Sequence, residues 1–255
     1  MNRIESVFRK KNGTVFVGYL MAGHPSLEKT PSLVKAMAEG GADIVEIGIP
    51  YSDPLADGPV IQEAGQIALK GGATVDRILE IIPAIRHETS IPLILMVYFS
   101  TIYRFGSRDF IDKCRKAGID GLIVPDMPLE ERDEILPLLG DDIAFIPLVA
   151  PTSKERISKI IRGAGGFVYC VSTLGVTGEN GHFHPDLLAY LKDVRELSPL
   201  PIAVGFGISK REDITGLAPY TDGVIVGSAL VKCIQESGGE PEALKDKVMK
   251  LTGRN

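Results

Sequence analysis

Hydrophobic positions along this chain fall into two kinds of stretch. Short, nearly unbroken apolar runs open at Val15, Ile44, Leu93, Leu122, Ala144, Phe167, Ile202 and Val224. They read TVFVGYL, ADIVEIGIP, PLILMVYF, GLIVP, DIAFIPLVA, GFVYCVS, PIAVGFG and DGVIVGSA. Runs without apolar/polar alternation are what strands covered on both faces require. Between them the apolar residues recur at helical spacing. Val75, Ile78, Leu79, Ile82 and Ile85 predict a one-sided helix after the second strand. Ile157, Ile160 and Ile161 predict another after the fifth, with Ser153 placed to cap its start. Five strands are announced by small turn signals that end one unit and begin the next: Gly41-Ala42-Asp43, Gly118 to Gly121, Gly140 to Asp142, Gly165-Gly166 and Thr221-Asp222-Gly223.

Eight strand–helix units in succession predict a parallel sheet with helices outside. An open doubly wound sheet shares that alternation, but no G-x-G-x-x-G follows the first strand. The expected fold is therefore α/β, a (β/α)₈ TIM barrel, with an extra N-terminal helix. That helix, IESVFRKK, carries Ile4, Val7 and Phe8 on one face and is expected to plug the barrel bottom. The 255 residues match the roughly 250 of such a barrel. No linker or composition break divides them, so residues 1–255 are read as one catalytic domain.

Composition narrows the function classes. With 44% hydrophobic and 24% charged residues the chain is an ordinary globular protein. A net charge of −5 argues against a nucleic-acid partner, which calls for a basic stripe. Cys114, Cys170 and Cys233 are widely spaced, fit a reducing compartment, and read as small buried hydrophobes. No apolar run reaches the ~18 residues of a membrane span, and the N-terminus does not read as a secretory signal. A cytoplasmic location is expected.

In a barrel the chemistry sits at the C-terminal ends of the strands. There, Gly205-Phe206-Gly207-Ile208-Ser209 and Gly227-Ser228-Ala229 combine glycines with serines at helix starts, in the last two units, where this fold recurrently holds phosphate. Glu46 lies in the second strand on the same face as Ile44 and Gly48. Burial there would raise its pKa and suit it to proton exchange near neutral pH. The next loop, Pro50 to Pro59, is stiffened by prolines and carries Asp53 and Asp57, which suggests an acid/base pair with Glu46. The glycine-rich segment from Ser172 to His182 reads as a lid. Phe99, Phe206, Leu95, Ile123 and Ile225 are candidate apolar walls. No lysine lies inside a strand to form a Schiff base, and no metal or cofactor motif is present, so none is expected.

Several of these segments resemble the tryptophan synthase alpha chain family. The resemblance is carried by the run Glu46 to Gln62, by Ser172, Gly175, Thr177 and Gly178, and by the Gly205–Ser209 and Val226–Ala229 turns. It implies cleavage of indole-3-glycerol phosphate to indole and glyceraldehyde 3-phosphate, without a cofactor. It also implies a pyridoxal-phosphate beta chain as partner in an alpha2beta2 complex. By position, Glu46 would be the general acid/base, Asp57 would hold the indole N–H, and Tyr169 would line the pocket. Gly178, Gly207, Gly227 and Ser228 would hold phosphate beside Phe206, and Thr177 would order Asp57 on closure. The loops after strands one and three, Gly18 to Pro25 and Tyr98 to Thr101, depart from the family pattern on the partner's side. Two alternatives stay open on the residues alone: another phosphate-binding barrel enzyme, an isomerase or prenyl transferase, or a non-catalytic subunit that binds a phosphorylated ligand.

Overall fold

A computed structural model of the chain describes residues 2–171, 187–205 and 207–254. Nine parallel strands are found among them: β1 (Val15–Met21), β2 (Ile44–Gly48), β3 (Leu93–Met96), β4 (Gly121–Ile123), β5 (Ala144–Phe145), β6 (Leu148–Val149), β7 (Val168–Val171), β8 (Ile202–Gly205) and β9 (Gly223–Val226). Their order is β5-β4-β3-β2-β1-β9-β8-β7-β6. The two edges of that list are halves of one stave. Ile146 N–H donates to Leu122 on one side at 2.9 Å, and the carbonyl of Pro147 accepts from Tyr169 on the other at 2.9 Å. The eight expected strands are thus present, with the fifth interrupted. Pro147 has no N–H to give a ladder, which is the local reason for the break.

Period-two alternation divides the staves between two cores. Inward residues, among them Val15, Val17, Ile44, Ile94, Ile123, Ile146, Phe167, Tyr169, Ala203 and Ile225, fill the barrel. Outward residues such as Val45, Ile47, Leu95 and Leu122 pack under the helices. The N-terminal helix Arg3–Lys10 closes the bottom as expected: Ile4 is fully buried in the inner core, and Phe8 lies 5.4 Å from Phe167 between ring centres. The helix Val75–Glu88 buries Ile78, Leu79, Ile82 and Ile85, and Thr74 rather than any residue inside it caps its start.

The expected cap at Ser153 is corrected. A 3₁₀ turn, Pro151–Arg156, precedes the helix Ile157–Ile161, and the Ser153 hydroxyl accepts from the Ala150 N–H inside that turn. Pro151 sets φ for the tight turn, so the chain coils six residues before the apolar period opens at Ile157.

The turn signals have a physical meaning that the sequence reading did not assign. Asp43, Asp120 and Asp222 each stand just before a strand and accept from a backbone N–H at the start of the neighbouring one. The distances are 2.9 Å to Phe16, 2.8 Å to Leu93 and 2.9 Å to Ile202. Each carboxylate is paired in turn: Asp43 with Lys11 and Arg254, Asp120 with Arg86 and Arg3, Asp222 with Arg195. The N-terminal face of the barrel is locked by these aspartates, which leaves the opposite face to carry a site.

Candidate active site

A cleft of about 840 Å³ opens at the C-terminal ends of the strands. Its floor is made of the uppermost inward side chains: Tyr19, Glu46, Met96, Leu148, Tyr169 and Ile225. Pro125, Ile61 and Ile208 close its walls. Ile225 therefore matches the wall expected from sequence. Leu95 does not, since it faces outward with Val45 and Ile47, and Met96 takes its place. Ile123 lies in the inner core, and Phe99 packs against the outer core from a helix that begins at its own position.

Glu46 points into this cleft with 1% of its surface exposed, and its Oε2 has no hydrogen-bond partner among the described residues. Burial raises its pKa from 4.5 to about 8, with the nearby Asp57 charge adding to the shift. The carboxyl is thus protonated at neutral pH and ready to donate. Asp57 is also buried, at 5% exposure, while Asp53 in the same loop is exposed. Burial lifts Asp57 to about 6, and a hydrogen bond from Tyr98 works in the opposite direction. The two carboxyls are therefore separated in strength, one protonated and one ionised near pH 7.

The loop that presents Asp57 is held from several sides. Asp57 N–H donates to Pro54 O at 3.1 Å, and Gln62 Nε2 donates to Asp57 O at 2.8 Å. The Tyr98 hydroxyl accepts from Ala56 N–H at 3.0 Å, and its ring stacks on Tyr51 at 4.8 Å. Pro59 then starts the helix Pro59–Lys70 at a position where its missing N–H costs nothing. In the sequence Tyr98 marks only the residue after which the third loop lacks the family's Asn-Pro pair, yet it positions the second carboxyl. Tyr19 was also missed, although it is the β1 neighbour of Glu46 in the sheet register. Tyr169 was expected and is in place; a Cβ on Gly205 would come within 2.4 Å of its hydroxyl.

At the other end of the cleft stand Gly207, Gly227, Ser228 and Ala229. The helix Ser228–Glu236 begins there without a side-chain cap, so its first N–H groups face the cleft. Gly207 has φ +79° and a Cβ there would meet nothing within 4 Å among the described residues, which leaves room for a ligand at the backbone. Ser209 lines the cleft as well, but its backbone donor is taken. The Asp213 carboxylate accepts from the N–H groups of Ser209 and Lys210, both at 3.0 Å, and so occupies the donors of that turn. Thr177, Gly178 and Phe206, together with the lid segment, lie outside the described residues. No group of three or more potential metal ligands occurs among the described residues.

A buried carboxyl, a second carboxyl of different strength and an uncapped helix start share one apolar cleft. Comparison with known proteins gives that arrangement its context. The family model for the tryptophan synthase alpha chain matches residues 6–254. A tryptophan synthase alpha chain from Clostridium kluyveri is 46% identical over 252 residues, covering 97% of this chain and 95% of the relative. One from Alkaliphilus metalliredigens is 43% identical, over 98% and 94%. A solved structure of Mycobacterium tuberculosis tryptophan synthase superposes with a TM-score of 0.90 at 34% identity, covering 99% of this chain and 97% of that one. The chain thus belongs to the tryptophan synthase alpha chain family, and it is a lyase that cleaves indole-3-glycerol phosphate in tryptophan biosynthesis.

Proposed function

We propose that Glu46 is the general acid/base of this cleavage and that Asp57 holds the indole N–H. The observation that carries the reading is the buried carboxyl of Glu46 at the cleft floor, whose Oε2 has no partner among the described residues and whose pKa burial raises to about 8. Cleavage at an aromatic carbon needs that carbon protonated first. Glu46 gives its proton to indole C3, and the positive charge reaches the ring nitrogen beside the ionised Asp57. The Glu46 carboxylate so formed then takes the proton of the hydroxyl on the adjacent side-chain carbon. The oxygen's electron pair forms the aldehyde C=O as the C–C bond breaks, and the bond's electrons return to the ring. Indole and glyceraldehyde 3-phosphate leave, and Glu46 is protonated again.

In this reading Gly207, Gly227 and Ser228 hold the phosphate, with Gly178 and Phe206 completing that end, Thr177 ordering Asp57, and Tyr169 lining the pocket. The support is the uncapped helix start at Ser228 and the open backbone at Gly207. No cofactor takes part. All of residues 1–255 act as one catalytic domain, since β1 pairs with β9 and links both ends of the chain in one sheet. No helix among the described residues is long and apolar enough to cross a membrane; the proposed location is the cytoplasm. The proposed partner is a pyridoxal-phosphate beta chain in an alpha2beta2 complex. Leu55, next in the chain to the cleft residue Ala56, and Tyr103 are exposed by 81% and 69% and offer it apolar docking surface.

The test is indole release from indole-3-glycerol phosphate by the purified chain, alone and with a tryptophan synthase beta chain. Slow release that the partner accelerates, and that Glu46→Gln removes, is the expected result. Comparable turnover by the Gln variant would overturn the role given to Glu46.

A further inference from the structure

Tyr19 stands on β1 beside Glu46 and is 4% exposed, with its ring lining the cleft. The ring begins near the phosphate end: a Cβ on Gly227 would lie 3.7 Å from Tyr19 Cβ. It ends over Gly48, where a Cβ would be only 2.1 Å from the hydroxyl oxygen. The side chain therefore runs alongside the stretch between the phosphate cradle and the two carboxyls. Phenylalanine would fill the same core volume. The hydroxyl instead brings a polar group into a buried place, where it needs a partner. Among the described residues its hydrogen bond is a long one, donated to Met21 Sδ at 4.0 Å. Burial above all, and then Asp57 and Glu46 from β2 and its loop, Tyr98 from beyond β3 and Tyr169 from β7, oppose its ionisation. The phenol thus stays a neutral donor in the working pH range.

Resting on the reading of the cleft given above, we propose that the Tyr19 hydroxyl recognises the middle hydroxyl of the glycerol side chain and is a specificity-determining residue. That hydroxyl is the one spared in the cleavage. It lies one carbon from the bond that breaks and one carbon from the phosphate-bearing carbon, the span that Tyr19 borders. Tyr19 makes the pocket select a 2-hydroxylated chain over a deoxygenated one. A site built to hydrogen-bond a substrate hydroxyl rejects an analogue lacking it, because its own polar group is then left unpaired.

Two inert ligands test this without any turnover. One keeps the middle hydroxyl but lacks the hydroxyl next to the ring, so it cannot undergo the cleavage. The other lacks both. By calorimetric titration the wild-type chain is expected to bind the hydroxylated ligand about 5- to 10-fold more tightly, the usual size of one hydrogen bond. Tyr19→Phe is expected to abolish that difference while binding the fully deoxygenated ligand as wild type does. Equal loss for both ligands would mean a packing role, and a preference that survives in the variant would mean another donor; either result overturns the proposal. If neither ligand binds wild type, the proposal falls with it. The indole-release assay, run on the same preparation, then tells whether the reading of Glu46 and Asp57 falls as well.

Discussion

Glu46 meets two opposed demands. The reaction wants a carboxyl that still holds its proton at neutral pH, and only burial supplies that. The fold is weakened by the same burial, since a carboxyl whose pKa rises from 4.5 to about 8 binds its proton more tightly folded than unfolded. Its contribution to stability is fully present below about pH 4.5 and is lost as the pH climbs through 8. Glu46→Gln should therefore melt a few degrees above wild type at pH 8 and show little advantage at pH 4.5, which thermal unfolding across that range would measure. The same variant should lose at least ~10³-fold in kcat, in the range expected for general acid–base catalysis. Since Asp57 must be ionised above about 6 and Glu46 protonated below about 8, kcat/KM should trace a bell with limbs near those values. A flat profile from pH 5 to 9 would contradict both assignments.

Among elements, the loop between β2 and the helix Pro59–Lys70 does the most precise work, and Tyr98 is its anchor. Removing that hydroxyl takes an acceptor from the Ala56 N–H and a donor from Asp57. Tyr98→Phe should lower kcat/KM by about 10-fold, and the acidic limb should move to higher pH, because the lost hydrogen bond favoured the charged form. At the barrel's other end, Asp120 ties β3 to β4 and is 5% exposed between Arg86 and Arg3. Asp120→Ala strands the half-buried Arg86 and should cost about 3 kcal/mol in urea unfolding while leaving the active-site geometry intact. These elements also explain what the sequence reading could and could not see. Glu46 stood out because a carboxylate inside an apolar run must be buried or stand at a cavity mouth, and Asp57 because a proline-stiffened loop follows directly. Tyr19 and Tyr98 did not, because an aromatic ring in such a run looks the same whether it fills a core or faces a ligand. Leu95 was put on the wrong side because a strand buried on both faces has no alternation from which to read its phase. The break at Pro147 was legible only as a proline, since the two half-staves keep the apolar character of one.

The whole molecule is polarised along the barrel axis. Asp43, Asp120 and Asp222, with the plug of Ile4, secure one end; the loops at the other end carry the cleft and Leu55, the most exposed large apolar side chain among the described residues. Leu55 follows directly on the loop's prolines, two residues before Asp57, so a partner seated on it would press on the segment that holds the second carboxyl. Tyr103 sits on the helix Phe99–Phe105, with its ring 6.3 Å from Phe99, and is not among the described residues that line the cleft. That separation allows docking to be tested apart from chemistry. Tyr103→Asp places a charge on the apolar face, where a partner would have to desolvate it. The variant should release indole at the wild-type rate when alone and need at least ~10-fold more beta chain to reach the same stimulation. A titration of the rate against beta-chain concentration measures both quantities at once. An unchanged titration would move the docking face away from this helix, and a fall in the unpartnered rate would mean that Tyr103 supports the site from within.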